Sequence, residues 1–496
     1  MQRQLLKQPS ILTQLILVCG LGLLLGIVAT KIPVELLLIG ISGVIYIVVA
    51  WFWPEIAVLG ILLFTSTIFD IYAYPSIPIG IGRLIVSDIL LFILIGILFL
   101  RLIHRSSSYF VHTPLDLPLL TFYVTAILST AFAIFNSRVT FNGSLEEVRV
   151  VNFYLIFFII THLIRNEKQL HRLLKGIIFL AFFTALAMIA QYILGPGVPI
   201  LPGRVEILNT AGTISYGVTR ILPPGQSLVM LGFVCLAVQM LFDKKLSRFM
   251  VYLIELGVVG LAVLLTFNRS FWGAIATALL LVILFVSLRD KVKYAQIALW
   301  IVLIGFFILI PFLTVKRGKV AELVNGITAR METLFNPNTA QEGSVQFRFI
   351  ENEYAIPQIL SHPFIGLGLG ANYRPWDFRL DGRRSDLANY IHNGHLWIML
   401  KTGLIGYLFF MCFLLMFIKR AIQNWRQVPD PFLKGIVLSF AVTLVGVLVA
   451  TFANPVIRAT YWAPVIGVMV GSSEVILRMN HNQSLDSQTL GELNLK

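Results

Sequence analysis

Residues Leu173 to Leu194 read LLKGIIFLAFFTALAMIAQYIL, an apolar run with a single charge, Lys175, in its first turn. At 1.5 Å per helical residue the run is about 33 Å long, enough to cross a hydrocarbon core about 30 Å thick. It is continuously apolar rather than alternating, so it reads as a helix, which satisfies its own backbone hydrogen bonds in lipid, and not as a barrel strand. Comparable runs recur along nearly the whole chain. Fourteen are counted, at 11–30, 34–51, 55–69, 84–103, 117–135, 150–164, 173–194, 226–242, 249–267, 270–288, 294–314, 392–418, 433–453 and 460–477, the third and sixth being short. The expected fold is an all-α polytopic membrane protein of about 12–14 transmembrane helices, with a large, partly helical exterior loop between the eleventh and twelfth.

Composition excludes the other classes. Of 496 residues, 57% are hydrophobic and 12% charged, and the mean hydropathy is +0.86, outside the range of a soluble globular enzyme or a disordered scaffold. A net charge of +14 and a pI near 9.7 would by themselves suit a nucleic-acid binder. With the N-terminus in the cytoplasm, however, 20 of the 38 Lys and Arg fall on cytoplasmic segments, 9 on the opposite short segments and 9 in the long loop. That is the bias that orients helices against anionic lipid, so the lipid bilayer is the expected partner, nucleic acid is not, and both termini are expected in the cytoplasm. Trp272, Trp397 and Trp462 then fall near the outer interface, as an aromatic belt would. Cys19, Cys235 and Cys412 lie inside apolar runs and imply neither a disulfide framework nor a Cys-based metal site. The first run lacks a small-residue cleavage pattern and is read as a membrane anchor, not a signal peptide.

Two exterior segments are longer than connection requires. Residues 195–225 form a Gly/Pro-rich loop. Residues 315–391 carry the densest polar run, with nine Lys/Arg against eight Asp/Glu, so any anion site there must come from positioned arginines rather than an overall field. Val345 to Leu360 (VQFRFIENEYAIPQIL) has a roughly helical period and leads into a Gly-rich turn, Ile365 to Ala371 (IGLGLGA). Gly366, Gly368 and Gly370 lack a surrounding βαβ unit, which rules out a dinucleotide reading. Residues 1–314 are thus read as helices one to eleven, 315–391 as an extracytoplasmic loop, 392–477 as the last three helices and 478–496 as a cytoplasmic polar tail.

The most informative stretch begins where that loop ends. His392 is followed by Asn393, nine further residues, then Gly403-Leu404-Ile405-Gly406, which fits the pattern H[NSQ]-x9-G-x-x-[GTY]. Leu265 to Ser270 reads LTFNRS; Arg348 is followed by an amphipathic helix, Pro363 and Gly366-Leu367-Gly368; Arg220 ends a polar exterior run. On these residues, over about Gly203 to Gly406, the chain resembles the O-antigen ligase and polymerase superfamily of bacterial cell-envelope glycosyltransferases. Asn268 stands where the family's Thr-x-Ser-Arg has Ser, and Asn454 where some relatives carry an acidic residue.

The resemblance implies transfer of a glycan from a polyprenyl (undecaprenyl) diphosphate to an acceptor hydroxyl, on the outer side of the bacterial inner membrane, with inversion at the anomeric carbon. The residue types suit that chemistry. A histidine near its ordinary pKa can take a hydroxyl proton, and arginines can stabilise a departing diphosphate without a metal; no other cofactor is implied. His392 is the expected base, Arg348, Arg220 and Arg269 the diphosphate ligands, and Asn393 and His395 supporting residues. The structural alternatives are a histidine capping a helix, an Arg348 ion pair with Glu351 or Glu353, and headgroup contact by Arg269. Lys401 either faces the site or lies in an interfacial segment before a span that starts near Thr402. The acceptor is another lipid-linked glycan, lipid A core or a protein hydroxyl, the first two ranking level. A secondary transporter is the rival class; the chain shows no internal repeat to favour it.

Overall fold

The computed structural model describes residues 34–69, 76–78, 83–104, 111–207, 218–243, 245–293, 295–296, 299–300, 303, 317–335, 343–381 and 388–493. The expected span 11–30 and most of 294–314 lie outside them. The apolar runs are helices: α1 (Val34–Phe52), α2 (Pro54–Thr65), α3 (Val86–His104), α4 (Asp116–Phe135), α5 (Phe141–Phe153), α6 (Ile156–Leu163), α7 (Glu167–Leu194), α8 (Gln226–Phe242), α9 (Leu246–Leu265) and α10 (Arg269–Phe285). The long segment supplies α11 (Arg317–Phe335), α12 (Gly343–Ser361) and the short α13 (Phe378–Asp381), and the chain ends with α14 (Gly394–Asn424), α15 (Pro431–Thr451) and α16 (Ala463–Leu493). Among the described residues six stretches are long and apolar enough to cross a membrane: α3, α4, α7, Ser247–Leu265, Gly394–Gln427 and α15. The chain is an all-α polytopic membrane protein.

Two local readings are corrected. The run 150–164 is not one helix: α5 and α6 are separated at Tyr154 and Leu155. Thr140 caps α5, its hydroxyl accepting the Gly143 N–H at 3.1 Å, so the helix starts in polar sequence well before the hydropathy rises. The Gly/Pro-rich 195–225 region holds an antiparallel hairpin, β3 (Arg204–Ile207) and β4 (Thr219–Leu222), besides the two-residue pair β1 (Ile77–Pro78) and β2 (Arg83–Leu84).

Small residues bring the helices together, as they do where lipid offers no hydrophobic drive. A Cβ on Gly446 of α15 would lie 2.3 Å from the Ala274 carbonyl of α10. Ion pairs lie inside the bundle: Arg149 with Asp88 at 2.9 Å and Arg420 with Glu474 at 2.9 and 3.0 Å. Basic residues gather at one end of the bundle, where Arg426 donates to Phe285 O, Lys293 to Leu241 O and Arg478 to Thr161 O. The long segment occupies the other end.

Candidate active site

A backbone interlock fixes the long segment to the bundle. Gly366, Gly368 and Gly370 all have left-handed φ, +76°, +92° and +80°. A Cβ on Gly366 would meet Gly403 N at 2.5 Å, and one on Gly370 would meet Gly143 O at 2.3 Å; only glycine fits either place. α14 is interrupted at Gly403, whose φ is +67°. The carbonyls of Leu400 and Lys401 there accept the N–H groups of Leu367 and Gly368 at 2.7 and 3.0 Å, and Leu404 N–H donates to Pro363 O at 2.7 Å. Irregular backbone is thus satisfied by protein, the condition for its presence near lipid.

Just ahead of α14, Asn393 accepts the N–H groups of His395 and Leu396 at 3.0 and 3.2 Å. This cap holds His392 one residue outside the helix. Its Nδ1 lies 2.8 Å from Oε1 of Glu351, and its backbone N–H donates to Oε2 at 2.8 Å. Glu351 is buried on α12, and the rings of Tyr390 and His392 stand perpendicular at 4.9 Å between centroids.

The remaining arginines arrive from separate elements. β-Pleating puts Arg204 and Glu206 on the same face as Arg220 and Leu222, their partners across the hairpin. Between α9 and α10 the chain turns at Thr266-Phe267-Asn268, with Phe267 at φ +45°; Thr266 O accepts Nε of Arg220 at 3.2 Å. Arg269 opens α10. Burial first, then the like charges of Arg330 and Arg204 and, more weakly, of Arg269, lower the Arg220 pKa to about 10 against the opposing pull of Glu206. Arg220 stays charged near neutrality, in a field that favours an anion.

These groups line one cavity of about 1090 Å³. His392, Arg348, Arg220 and Arg269 all lie on its wall, with Arg204 and Arg330 beside them; Gly273, Thr277, Val449 and Ala450 line it on the bundle side. Asn268 and Asn454, both on the wall, are joined at 3.3 Å from Nδ2 of Asn454 to Oδ1 of Asn268.

Three residues of the sequence reading stand elsewhere. His395 is buried, its Nε2 3.1 Å from Leu448 O, and ties α14 to α15. Asn393 caps. Lys401 does not line the cavity; it is fully buried, 3.5 Å from Oε2 of Glu147 and bonded to Ala371 O. The sequence reading gave no role to Arg204, Arg330 or Tyr390 and named Glu351 only as a partner for Arg348. The available signal for Glu351 was its place three residues after Arg348, on the same helix face. One further group, Glu167, His171 and Asp430, brings three potential ligand atoms within 4.8 Å, but it lies at the far end of α7, away from the cavity.

Residues 256–411 match the family model described as O-Antigen ligase. No curated protein matches the chain. The matched stretch runs from α9 into α14 and includes Arg269, Arg330, Arg348, Glu351 and His392 but not the hairpin arginines. Over residues 256–411 the chain is similar to the O-antigen ligase family, in agreement with the resemblance read from its sequence.

Proposed function

We propose that this chain is a glycosyltransferase that moves a glycan from a polyprenyl diphosphate to an acceptor hydroxyl, with His392 as base and Arg348, Arg220 and Arg269 as ligands of the diphosphate. The observation that carries this reading is the single cavity shared by His392 and five arginines. Glu351, as a carboxylate, only accepts; it therefore holds the proton of the His392 ring on Nδ1 and leaves Nε2 as the basic nitrogen. Nε2 takes the acceptor's hydroxyl proton while the hydroxyl oxygen bonds to the anomeric carbon. The bond from that carbon to the diphosphate oxygen breaks, and the diphosphate leaves with the electron pair against the arginines. Attack opposite the leaving group inverts the anomeric centre. Positive charge at the leaving group comes from the guanidinium groups, so the reading includes no metal.

In this reading the cavity opens on the extracytoplasmic side of the bacterial inner membrane and the basic end of the bundle lies in the cytoplasm. Another lipid-linked glycan and lipid A core are the leading acceptors, a protein hydroxyl the third. The decisive assay incubates membranes with a lipid-linked donor and compares wild type with His392→Ala. Full transfer by the variant rejects the base. Glycan flux into vesicles without any lipid-linked donor would replace the enzyme with a transporter. The glycan profile of a deletion strain then separates acceptors: single repeats on lipid A core mark a lost polymerase, long chains left on the carrier a lost ligase.

A further inference from the structure

The two sides of α12 are inverted relative to a helix packed at a water surface. Arg348, Glu351 and Ala355 face inward: Glu351 and Ala355 are buried and Arg348 lines the cavity. On the other side Phe349, Ile356 and Leu360 fall within about 40° of one another at 100° per residue. They are 59%, 50% and 73% exposed. Phe364 and Ile365, just past the helix, are exposed as well. Large apolar side chains outward, with Arg348 and Glu351 turned inward, describe a face that meets lipid at its interface, since a water-facing helix keeps its apolar side chains in.

The backbone fixes the level at which this face sits. Leu404 N–H donates to Pro363 O and Leu367 N–H to Leu400 O, so the end of α12 is held beside Gly403. From Gly403 to Ile418 α14 carries no charge, and its Leu404, Ile405 and Leu408 are exposed on the lipid flank of a membrane-spanning stretch. The apolar face of α12 is therefore continuous with a surface that already faces lipid. Glu353, exposed on the same side about 20° from Leu360 and about 40° from Phe349, suits the headgroup boundary rather than the hydrocarbon centre.

We infer that α12 is an interfacial helix, its Phe349, Ile356 and Leu360 face together with Phe364 and Ile365 seated in the headgroup and acyl boundary of the bilayer. The segment that supplies Arg348 and Glu351 is then part of the membrane surface rather than a cap standing in water. This places both side chains at the depth of a phospholipid headgroup.

The test uses the full chain with Cys19, Cys235 and Cys412 replaced by Ser, spin-labelled at one introduced cysteine and reconstituted in phosphatidylcholine/phosphatidylglycerol nanodiscs. Collision with oxygen is compared with collision with a water-soluble nickel chelate. Labels at Ile356 and Leu360 should show the oxygen preference of a label at Leu408, with a shallower depth. A label at Lys168, exposed at the start of α7, supplies the water reference. Nickel-dominated collision at Ile356 and Leu360, as at Lys168, overturns the proposal. All four positions are exposed, so a label at each is tolerated by packing. The readout needs no glycan transfer and stands or falls separately from the proposed chemistry.

Discussion

A single carboxylate, Glu351, holds both the ring and the backbone of His392, meeting Nδ1 and the main-chain N–H at 2.8 Å each. The two residues are 41 positions apart, on α12 and at the entry to α14. Ring orientation is therefore set before any substrate arrives.

The first prediction concerns that pair. Glu351→Gln keeps the size of the side chain but lets an amide donate to Nδ1, which moves the ring proton to Nε2 and removes the proposed base. Turnover should fall on the order of 10²-fold or more, while binding of the lipid donor, which in the proposed reading rests on the arginines, stays close to wild type. A purely structural Glu351 would lower protein yield and donor binding together. An unchanged kcat removes it from the mechanism.

The second prediction turns on the cost of Arg220. Its lowered pKa means that the folded protein disfavours the charge it carries at neutral pH, through burial and the neighbouring guanidinium groups of Arg330 and Arg204. For a cation the sign is clear: the destabilisation is present below the folded value near 10 and fades as pH rises through it. An anion relieves it. Pyrophosphate should raise the Tm of the wild type, by about 2.7 kcal/mol of added stability at 100-fold over Kd. Arg220→Met should abolish most of that gain and leave the unliganded Tm equal or higher. A large drop in unliganded Tm would show that Arg220 is a structural residue.

The membrane fold was legible because apolar runs of helical length have one solution in lipid. His392 was named from its local spacing to Gly403, and Arg348, Arg220 and Arg269 from the resemblance; all four line one cavity, which brings them together without testing their roles. Glu351 was not: next to Arg348 in sequence, it invited an ion pair within the helix, and its bond to His392 spans a loop that no periodicity encodes. The hairpin was hidden by Gly and Pro around it, and the pleat that aligns Arg204 with Arg220 exists only once the strands pair. Trp397 and Trp462 mark another limit. Their position in the sequence suggests an interfacial belt, yet both are buried, Trp397 donating to Glu147 at 3.0 Å.

A third prediction tests the interlock. At Gly403 a Cβ would lie 2.2 Å from the Phe364 carbonyl, and φ is +67°. Gly403→Ala thus meets both a clash and a left-handed backbone, which alone costs about 1–2 kcal/mol. The variant should lose monodisperse protein in detergent and unfold at lower temperature than wild type. Gly273→Ala is the control, since no atom lies within 4 Å of its Cβ position, and it should keep the wild-type Tm. Equal stability of the two variants would show that the Gly403 contact with Pro363 to Leu367 does not hold the segment.

The last prediction concerns charge buried behind the site. Glu147 is buried and accepts from Trp397 Nε1 at 3.0 Å, Arg458 Nε at 3.1 Å and Gly370 N at 2.6 Å, with Lys401 Nζ 3.5 Å away. Removing one member of such a cluster strands the others, at a cost of about 3–5 kcal/mol, whereas replacing both partners by apolar groups costs far less. Glu147→Leu should therefore be severely destabilised in denaturant unfolding, and adding Lys401→Met should recover much of the loss. Additive single effects would refute the pairing. Activity should not recover with stability, because Arg458 also stacks on Tyr390 at 4.9 Å and Tyr390 packs against His392. Without Glu147 the Arg458 guanidinium loses its anchor, Tyr390 loses the group that positions it, and the rescued double variant should fold yet turn over slowly.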